Sequence, residues 1–272
     1  MTVLVGWPLV VACICTPAPP PHETVRMTST RLRIDDQAAL IETPVIQLLG
    51  PEGPLTVMGT LHVAEATYYD ALNRHLKPIV LFEGLASEPA PEEATADVPF
   101  VDALSAHGLA AQDLGLDRDE RWVRADMSVT ELEHALRAAG ANDEVVQDFM
   151  GTSDRSALTR LFTATQGDAR RSAVARLTLL ESLAIPMDPA MDLYWEVVVG
   201  QRNAVALNTL AEQPGAQTLI YGVDHVADLT ARLERQGFKV ETTRWETALR
   251  VAYADLQLGR VQVEQRLTPL LQ

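Results

Sequence analysis

The chain has 272 residues, enough to bury either one large hydrophobic core or two smaller ones. Its hydrophobic content of 47% and charged content of 22% are typical of a globular protein. The formal net charge is −15, because 37 acidic residues outnumber 22 basic ones, and such a surface repels phosphate backbones and anionic membranes. The composition therefore argues against a nucleic-acid partner.

The N-terminal segment has two interpretations, which we leave open. Residues 1–21, MTVLVGWPLVVACICTPAPPP, contain an apolar run of signal-peptide length that is too short to span a bilayer as a helix. The stretch VVAC resembles the bacterial lipoprotein processing box, which would make Cys13 a lipid anchor and place the protein in the cell envelope. However, no Lys or Arg precedes the apolar run, and a start at Met27 would give an ordinary cytoplasmic N-terminus. In both cases residues 1–43 are expected to be a tail.

Five segments after this tail have the pattern of β-strands. Residues 44–50 and 55–60 are joined through PEGP, which is a turn signal. Residues 79–84 and 218–223 are continuous apolar runs bounded by Gly or Pro, as expected for strands that are buried on both faces. Residues 238–245 alternate between apolar and polar, which predicts a later and more exposed strand.

Helical patterns lie between these strands and fill the middle of the chain. They cover residues 64–76, 128–140, 168–184, 189–213 and 226–237. Ser128 and Glu131 have the spacing of a capping box, and Gly140 and Gly237 are typical residues after a helix end. The order predicts one α/β domain over residues 44–272, with a central β-sheet flanked by helices and a large helical insertion at about 100–215.

Two short stretches, GTLHVAE and GVDHVAD, share one pattern. Each follows an apolar strand and precedes a helix, so His62 and His225 are expected just beyond the C-terminal ends of two strands. At that edge of an α/β sheet the strand-to-helix loops separate and ligands bind. Glu65 and Asp228, three residues after each histidine, are expected in the first turn of the following helix and are interpreted as structural.

Glu83 ends the apolar strand 79–84 and needs a partner, because a buried unpaired charge is costly. An ion pair with an arginine would meet this need. With His62 and His225 at neighbouring strand ends, a site made of all three residues explains the pattern better. Two imidazoles and one carboxylate leave coordination positions open for water or substrate, as in catalytic metal sites. Hydrogen-bonded neutral histidines would give the same spacing.

Arg202 lies in the middle of a helical segment among Val and Ala residues, so its stem crosses an apolar surface. A buried arginine generally faces a carboxylate, and Glu83 is the natural candidate. Arg202 would then orient Glu83 or stabilise an oxyanion, or else form a plain buried salt bridge. Two other residues are interpreted as structural, Asp126 at a helix start and Tyr221 in packing. Asp224 has no equivalent acid in the first histidine motif, which argues against a role shared by both motifs.

The order of these motifs resembles the TraB family. The resemblance rests on GTLH, a strand ending in FEG, a helix with QRN, and YGVDH followed by a helix with RLERQGF, and it covers about residues 45–250. This family includes the bacterial GumN-like and pheromone-shutdown proteins and, more distantly, the Tiki metalloproteases. One departure is Gln201, where members often have Glu.

The resemblance implies a Tiki/EreA/ChaN-like fold and a metal-dependent hydrolase of peptide-like or other acyl substrates. It implies a divalent metal ion, manganese or cobalt rather than zinc, on His62, Glu83 and His225, with Arg202 as the basic residue of the site. Glu83 would be a metal ligand or a general base. Two alternatives remain: a metal-free hydrolase with a histidine as general base, and a regulatory protein that sequesters a peptide or signal without turning it over.

Overall fold

The computed structural model describes residues 28–85, 98–150, 153–185, 187–188 and 190–271. The predicted lipid anchor at Cys13 and the alternative start at Met27 lie outside these residues. The strands are β1 (Arg31–Ile34), β2 (Ala38–Gly50), β3 (Gly53–Thr60), β4 (Val63–Glu65), β5 (Val80–Phe82), β6 (Leu109–Ala111), β7 (Trp122–Arg124), β8 (Thr218–Gly222) and β9 (Lys239–Ala252).

Helices connect and cover these strands. The α-helices are α1 (Ala66–Asn73), α2 (Val98–Ser105), α3 (Gln112–Gly115), α4 (Val129–Ala138), α5 (Asp143–Met150), α6 (Ser153–Thr163), α7 (Ala169–Ala184), α8 (Arg202–Glu212), α9 (Val223–Arg235), α10 (Tyr253–Leu256) and α11 (Arg260–Leu267). A π-helix (Tyr194–Gln201) leads directly into α8, and a 3₁₀ helix (Thr268–Leu271) follows α11. Within the described part of the chain, no helix has both the length and the apolar character that crossing a membrane requires.

The central sheet has seven strands and confirms the predicted α/β class. Its order is β1-β2-β3-β8-β5-β7, and β9 pairs with the long strand β2. The four strands β3, β8, β5 and β7 are parallel to one another, whereas β2 is antiparallel to β1, β3 and β9. The parallel strands therefore bring their C-terminal ends to one edge of the sheet.

Both faces of the sheet are buried. Adjacent residues of a strand point to opposite sides, so neighbouring residues pack in different cores. On one face, Met58 and Val80 pack in a core with residues of α1, α2, α6 and α7. On the other face, Val57, Leu81 and Leu219 pack with residues of α8 and α9. The continuous apolar runs of β5 and β8 reflect this burial on two sides.

Two parts of the chain depart from the predicted organisation. Strand β1 and the first half of β2 lie inside residues 1–43, which the sequence assigned to a tail. The first half of β2 is held by pairing with β9, more than 200 positions later in the chain, and β1 pairs with β2 in turn. A local pattern does not show such a distant partner. In addition, the predicted helical insertion contains β6 and β7, and β7 extends the central sheet beyond β5.

The helix ends that were predicted from local capping residues are observed. Ser128 is the N-cap of α4 and forms a full capping box with Glu131, as the spacing predicted. Gly237 follows the end of α9 with a φ of +95°, which a residue with a side chain rarely adopts. The predicted helix over 189–213 is present, but its first half is a π-helix.

Candidate functional site

The three predicted ligands lie at the same edge of the sheet. His62 is exposed, two residues beyond the end of β3. Glu83 directly follows β5, and its side chain is 11% exposed. His225 is the third residue of α9, which starts where β8 ends, and its side chain is 4% exposed. Because β3, β8 and β5 are neighbouring parallel strands, the expected convergence of these residues is observed.

Glu83 is held in place from three sides. Its Oε1 accepts a hydrogen bond of 2.6 Å from Nη2 of Arg202, and its Oε2 accepts one from the backbone amide of Gly222. Nε2 of His225 lies 3.5 Å from Oε1. Burial alone raises the pKa of Glu83, but attraction to the charged form of His225, to Arg202 and to the charged form of His62, together with the Gly222 amide, outweighs it and lowers this pKa to about 2. Glu83 is therefore a carboxylate at neutral pH.

Arg202 lies between two carboxylates, and the interpretation of Asp126 as a helix-start residue is wrong. The guanidinium donates from Nε to Oδ1 of Asp126 over 2.9 Å and from Nη2 to Oδ2 over 2.6 Å, which is a bidentate pair. The Asp126 carboxylate is completely buried and also accepts from the amides of Gly84 and Met127. Arg202 thus does face Glu83 as predicted, but it binds Asp126 as well, through two hydrogen bonds instead of one.

His225 is anchored through Asn203, a residue that the sequence analysis did not assign to the site. Oδ1 of Asn203 lies 2.7 Å from Nδ1 of His225, and the Asn203 amide group also contacts the carbonyl of His225 and the carboxylate of Asp228. Burial lowers the pKa of His225, and the carboxylate of Glu83 opposes this shift. The imidazole is therefore neutral at neutral pH.

The two acids after the histidine motifs differ in their surroundings. Glu65 accepts from the Arg176 side chain and the Arg250 amide, so it ties β4 to other elements as the structural interpretation expected. However, Glu65 is the N-cap of α1 and not part of its first turn, and its side chain accepts no hydrogen bond from the amides of that helix. Asp228 is the sixth residue of α9, not part of its first turn, and is buried against Asn203. Asp228 therefore belongs to the surroundings of His225.

Two tyrosines line the region around the site. Tyr221 is buried, its hydroxyl donates to the carbonyl of Ala125, and its ring lies 5.3 Å from the His225 ring, in agreement with a packing role. Tyr194, on the π-helix, donates its hydroxyl to Asp224. Asp224 thus has a hydrogen-bond partner on the π-helix.

The side chains at this sheet edge supply some, but not all, of the ligands that a divalent metal ion needs. An imidazole nitrogen and a carboxylate oxygen are ligands that Mn, Co and Zn all accept, and two such donors, from His225 and Glu83, lie together. His62 is close enough for its charge to affect Glu83. Among the described residues, however, no group of three or more His, Cys, Asp or Glu side chains is assembled to hold a metal ion.

Comparison with protein-family models, with curated proteins and with solved structures found no match for this chain. The likeness to the TraB family therefore stays a resemblance between short motifs. The case for a function depends on the geometry of the site itself.

Proposed function

We propose that the chain is a hydrolase of peptide or other acyl bonds that acts at the sheet edge formed by His62, Glu83 and His225. The observation that supports this most is the placement of a buried, neutral imidazole 3.5 Å from an ionised carboxylate at the ligand-binding edge of an α/β sheet. A neutral histidine beside a fixed carboxylate is suited to accept a proton from an attacking water.

Each charged residue has a distinct task in this proposal. In the metal-free form of the reaction, His225 takes a proton from the water as the water oxygen bonds to the acyl carbon, and Glu83 stabilises the imidazolium that results. The imidazolium then gives this proton to the leaving group as the acyl bond breaks. Arg202 keeps the Glu83 carboxylate in one orientation, and Asp126 fixes Arg202 from the opposite side. The exposed His62 is on the solvent side of this cluster, where it is accessible to a substrate carbonyl.

A divalent metal ion is part of the proposal, with manganese or cobalt preferred over zinc on the basis of the TraB resemblance. His62, Glu83 and His225 would hold it. When bound, such an ion lowers the pKa of a coordinated water and polarises a carbonyl oxygen. The metal-free hydrolase is the second candidate, favoured because both Glu83 oxygens already accept hydrogen bonds from the protein.

The test uses the full chain without a histidine tag. Bound Mn, Co, Fe, Ni and Zn are measured by plasma mass spectrometry, and cleavage of a mixed peptide library is measured with and without chelator. We expect His225→Ala to abolish cleavage and His62→Ala to reduce it, whereas His134→Ala, an exposed histidine on α4, serves as the matched control and changes neither.

The outcomes separate the candidates. Near-stoichiometric metal that is lost in both site variants, together with cleavage that chelator stops, supports the metal-dependent hydrolase. Cleavage that persists in chelator and requires His225 supports the metal-free reaction. Peptide binding with no cleavage under any metal would overturn the proposal and leave the sequestering role.

A further inference from the structure

Asn203 has a fixed orientation that follows from its neighbours. Its side chain is fully buried next to Arg202 in the first turn of α8. One end of the amide faces the carbonyl of His225 at 3.1 Å and a carboxylate oxygen of Asp228 at 2.9 Å. Both of these groups accept hydrogen bonds and neither donates, since Asp228 also receives Nε of Arg232 at 2.6 Å. The NH₂ group of Asn203 must therefore be at this end.

The orientation of Asn203 decides where the proton of His225 is. With its NH₂ group on Asp228, Asn203 presents its carbonyl oxygen to Nδ1 of His225 at 2.7 Å. This oxygen only accepts, so Nδ1 must carry the proton, and Nε2 of the neutral ring carries a lone pair. That lone pair is the one directed toward Glu83.

A competing arrangement exists, and the distances argue against it. Free neutral histidine in water favours the proton on Nε2, and here an Nε2–H would also be attracted to the Glu83 carboxylate. The contact from Nε2 to Glu83 is 3.5 Å, however, which is at the limit of a hydrogen bond, whereas the contact from Nδ1 to Asn203 is short. The tautomer of His225 therefore depends on Asn203.

We propose that Asn203 is a positioning residue that keeps the proton of His225 on Nδ1 and so presents the Nε2 lone pair to substrate water or a metal ion. The catalytic consequence rests on the proposed function, whereas the tautomer itself does not. The line of hydrogen bonds from Arg232 through Asp228 to Asn203 gives this residue its orientation. Histidine ligands and bases elsewhere are commonly oriented by such a partner on the second ring nitrogen.

The tautomer is measured by NMR on the full chain with ¹⁵N-labelled histidine, in chelator at neutral pH. His225→Ala assigns the His225 signals. In the wild type we expect a protonated Nδ1 and an unprotonated Nε2. Asn203→Ala should move the proton to Nε2, whereas Asn208→Ala, an exposed asparagine on the same helix, should leave both signals unchanged.

A second variant distinguishes positioning from packing. Asn203→Leu keeps nearly the same side-chain volume but removes the oxygen that accepts from Nδ1, so we expect the proton to move to Nε2 as in Asn203→Ala. A wild-type tautomer in this variant would show that packing, and not the amide oxygen, sets the proton position, and would overturn the inference. This second variant also keeps the inference testable if Asn203→Ala does not fold, which circular dichroism would show.

The same variants are read for hydrolysis wherever the wild type cleaves a peptide. We expect Asn203→Ala to lower kcat about 10- to 100-fold with KM little changed, and Asn203→Leu to show a similar loss. A wild-type His225 protonated on Nε2, or a tautomer that Asn203→Ala does not alter, would overturn the inference. A wild type with the expected tautomer and no hydrolysis would instead refute the proposed function and leave the inference standing.

Discussion

Replacing Arg202 by Met tests the charge arrangement at the centre of the site. Arg202 is 7% exposed in its side chain and lies between Glu83, at 11%, and Asp126, at 0%. A methionine keeps the apolar stem but leaves two buried carboxylates without their cation. Breaking a buried ion pair in this way costs about 3–5 kcal/mol of folding free energy at neutral pH.

The structure also predicts how this loss of stability changes with pH. In the wild type the pKa of Glu83 is lowered from 4.5 to about 2, which contributes about 3 kcal/mol of stability above pH 4.5. That contribution is lost as pH falls from 4.5 toward 2. Without Arg202, one of the charges that oppose burial is removed, so we expect the pKa of Glu83 to rise from about 2. The variant should then lose less stability than the wild type as pH falls from 4.5 toward 2, so the difference in stability between the two proteins should narrow in acid.

The assay is urea unfolding of both proteins at pH 7 and pH 3.5 in chelator. Arg137→Met is the matched control, because Arg137 also lies between two carboxylates, Glu133 and Asp143, but all three side chains are more than 40% exposed. Exposed ion pairs contribute little, so this variant should unfold like the wild type. The reasoning is refuted if Arg202→Met is no less stable than the control at pH 7, or if its stability deficit relative to the wild type is no smaller at pH 3.5 than at pH 7.

Three further substitutions test single contacts. Gly222→Ala places a Cβ 3.1 Å from Oε2 of Glu83, so we expect it to displace this carboxylate and lower kcat for peptide cleavage with only a small change in urea midpoint. Ser128→Ala removes the N-cap of α4 and should cost about 1 kcal/mol in urea unfolding; an unchanged midpoint would contradict the capping box. Gly50→Ala drives a Cβ to 2.1 Å from the ring of Phe238 and should cost about 1–3 kcal/mol, with the loss reduced when Phe238→Ala is combined with it.

The sheet edge was predictable because its signals are local. An apolar run that ends in glycine and a polar residue marks a strand end, and parallel strand ends share an edge. This reasoning placed His62, Glu83 and His225 together without any knowledge of strand order. The fold class followed from the same alternation of strands and helices. In contrast, the pairing of β2 with β9 joins distant segments, so the sequence assigned the start of β2, and β1 beside it, to the tail.

The partners of the site residues were harder to predict, since they lie on short or irregular elements. Asp126 follows β7, a strand of three residues, which is too short to give a recognisable pattern. Asn203 is an ordinary polar residue in a helical segment, and a single sequence does not show which face of the helix it occupies. The π-helix before α8 changes that face, because its turns are wider than those of an α-helix.

A count of hydrogen-bond donors would have led to Asp126. A guanidinium has five N–H donors in a planar fork, and one carboxylate at a strand end cannot occupy them all. Since Arg202 crosses an apolar surface, its remaining donors also need buried acceptors. The nearest source is another strand end at the same edge, and RADMS is a segment that supplies a carboxylate after apolar residues. The number of donors on one buried arginine thus predicts a second acceptor beside Glu83, and in the structure this acceptor is Asp126.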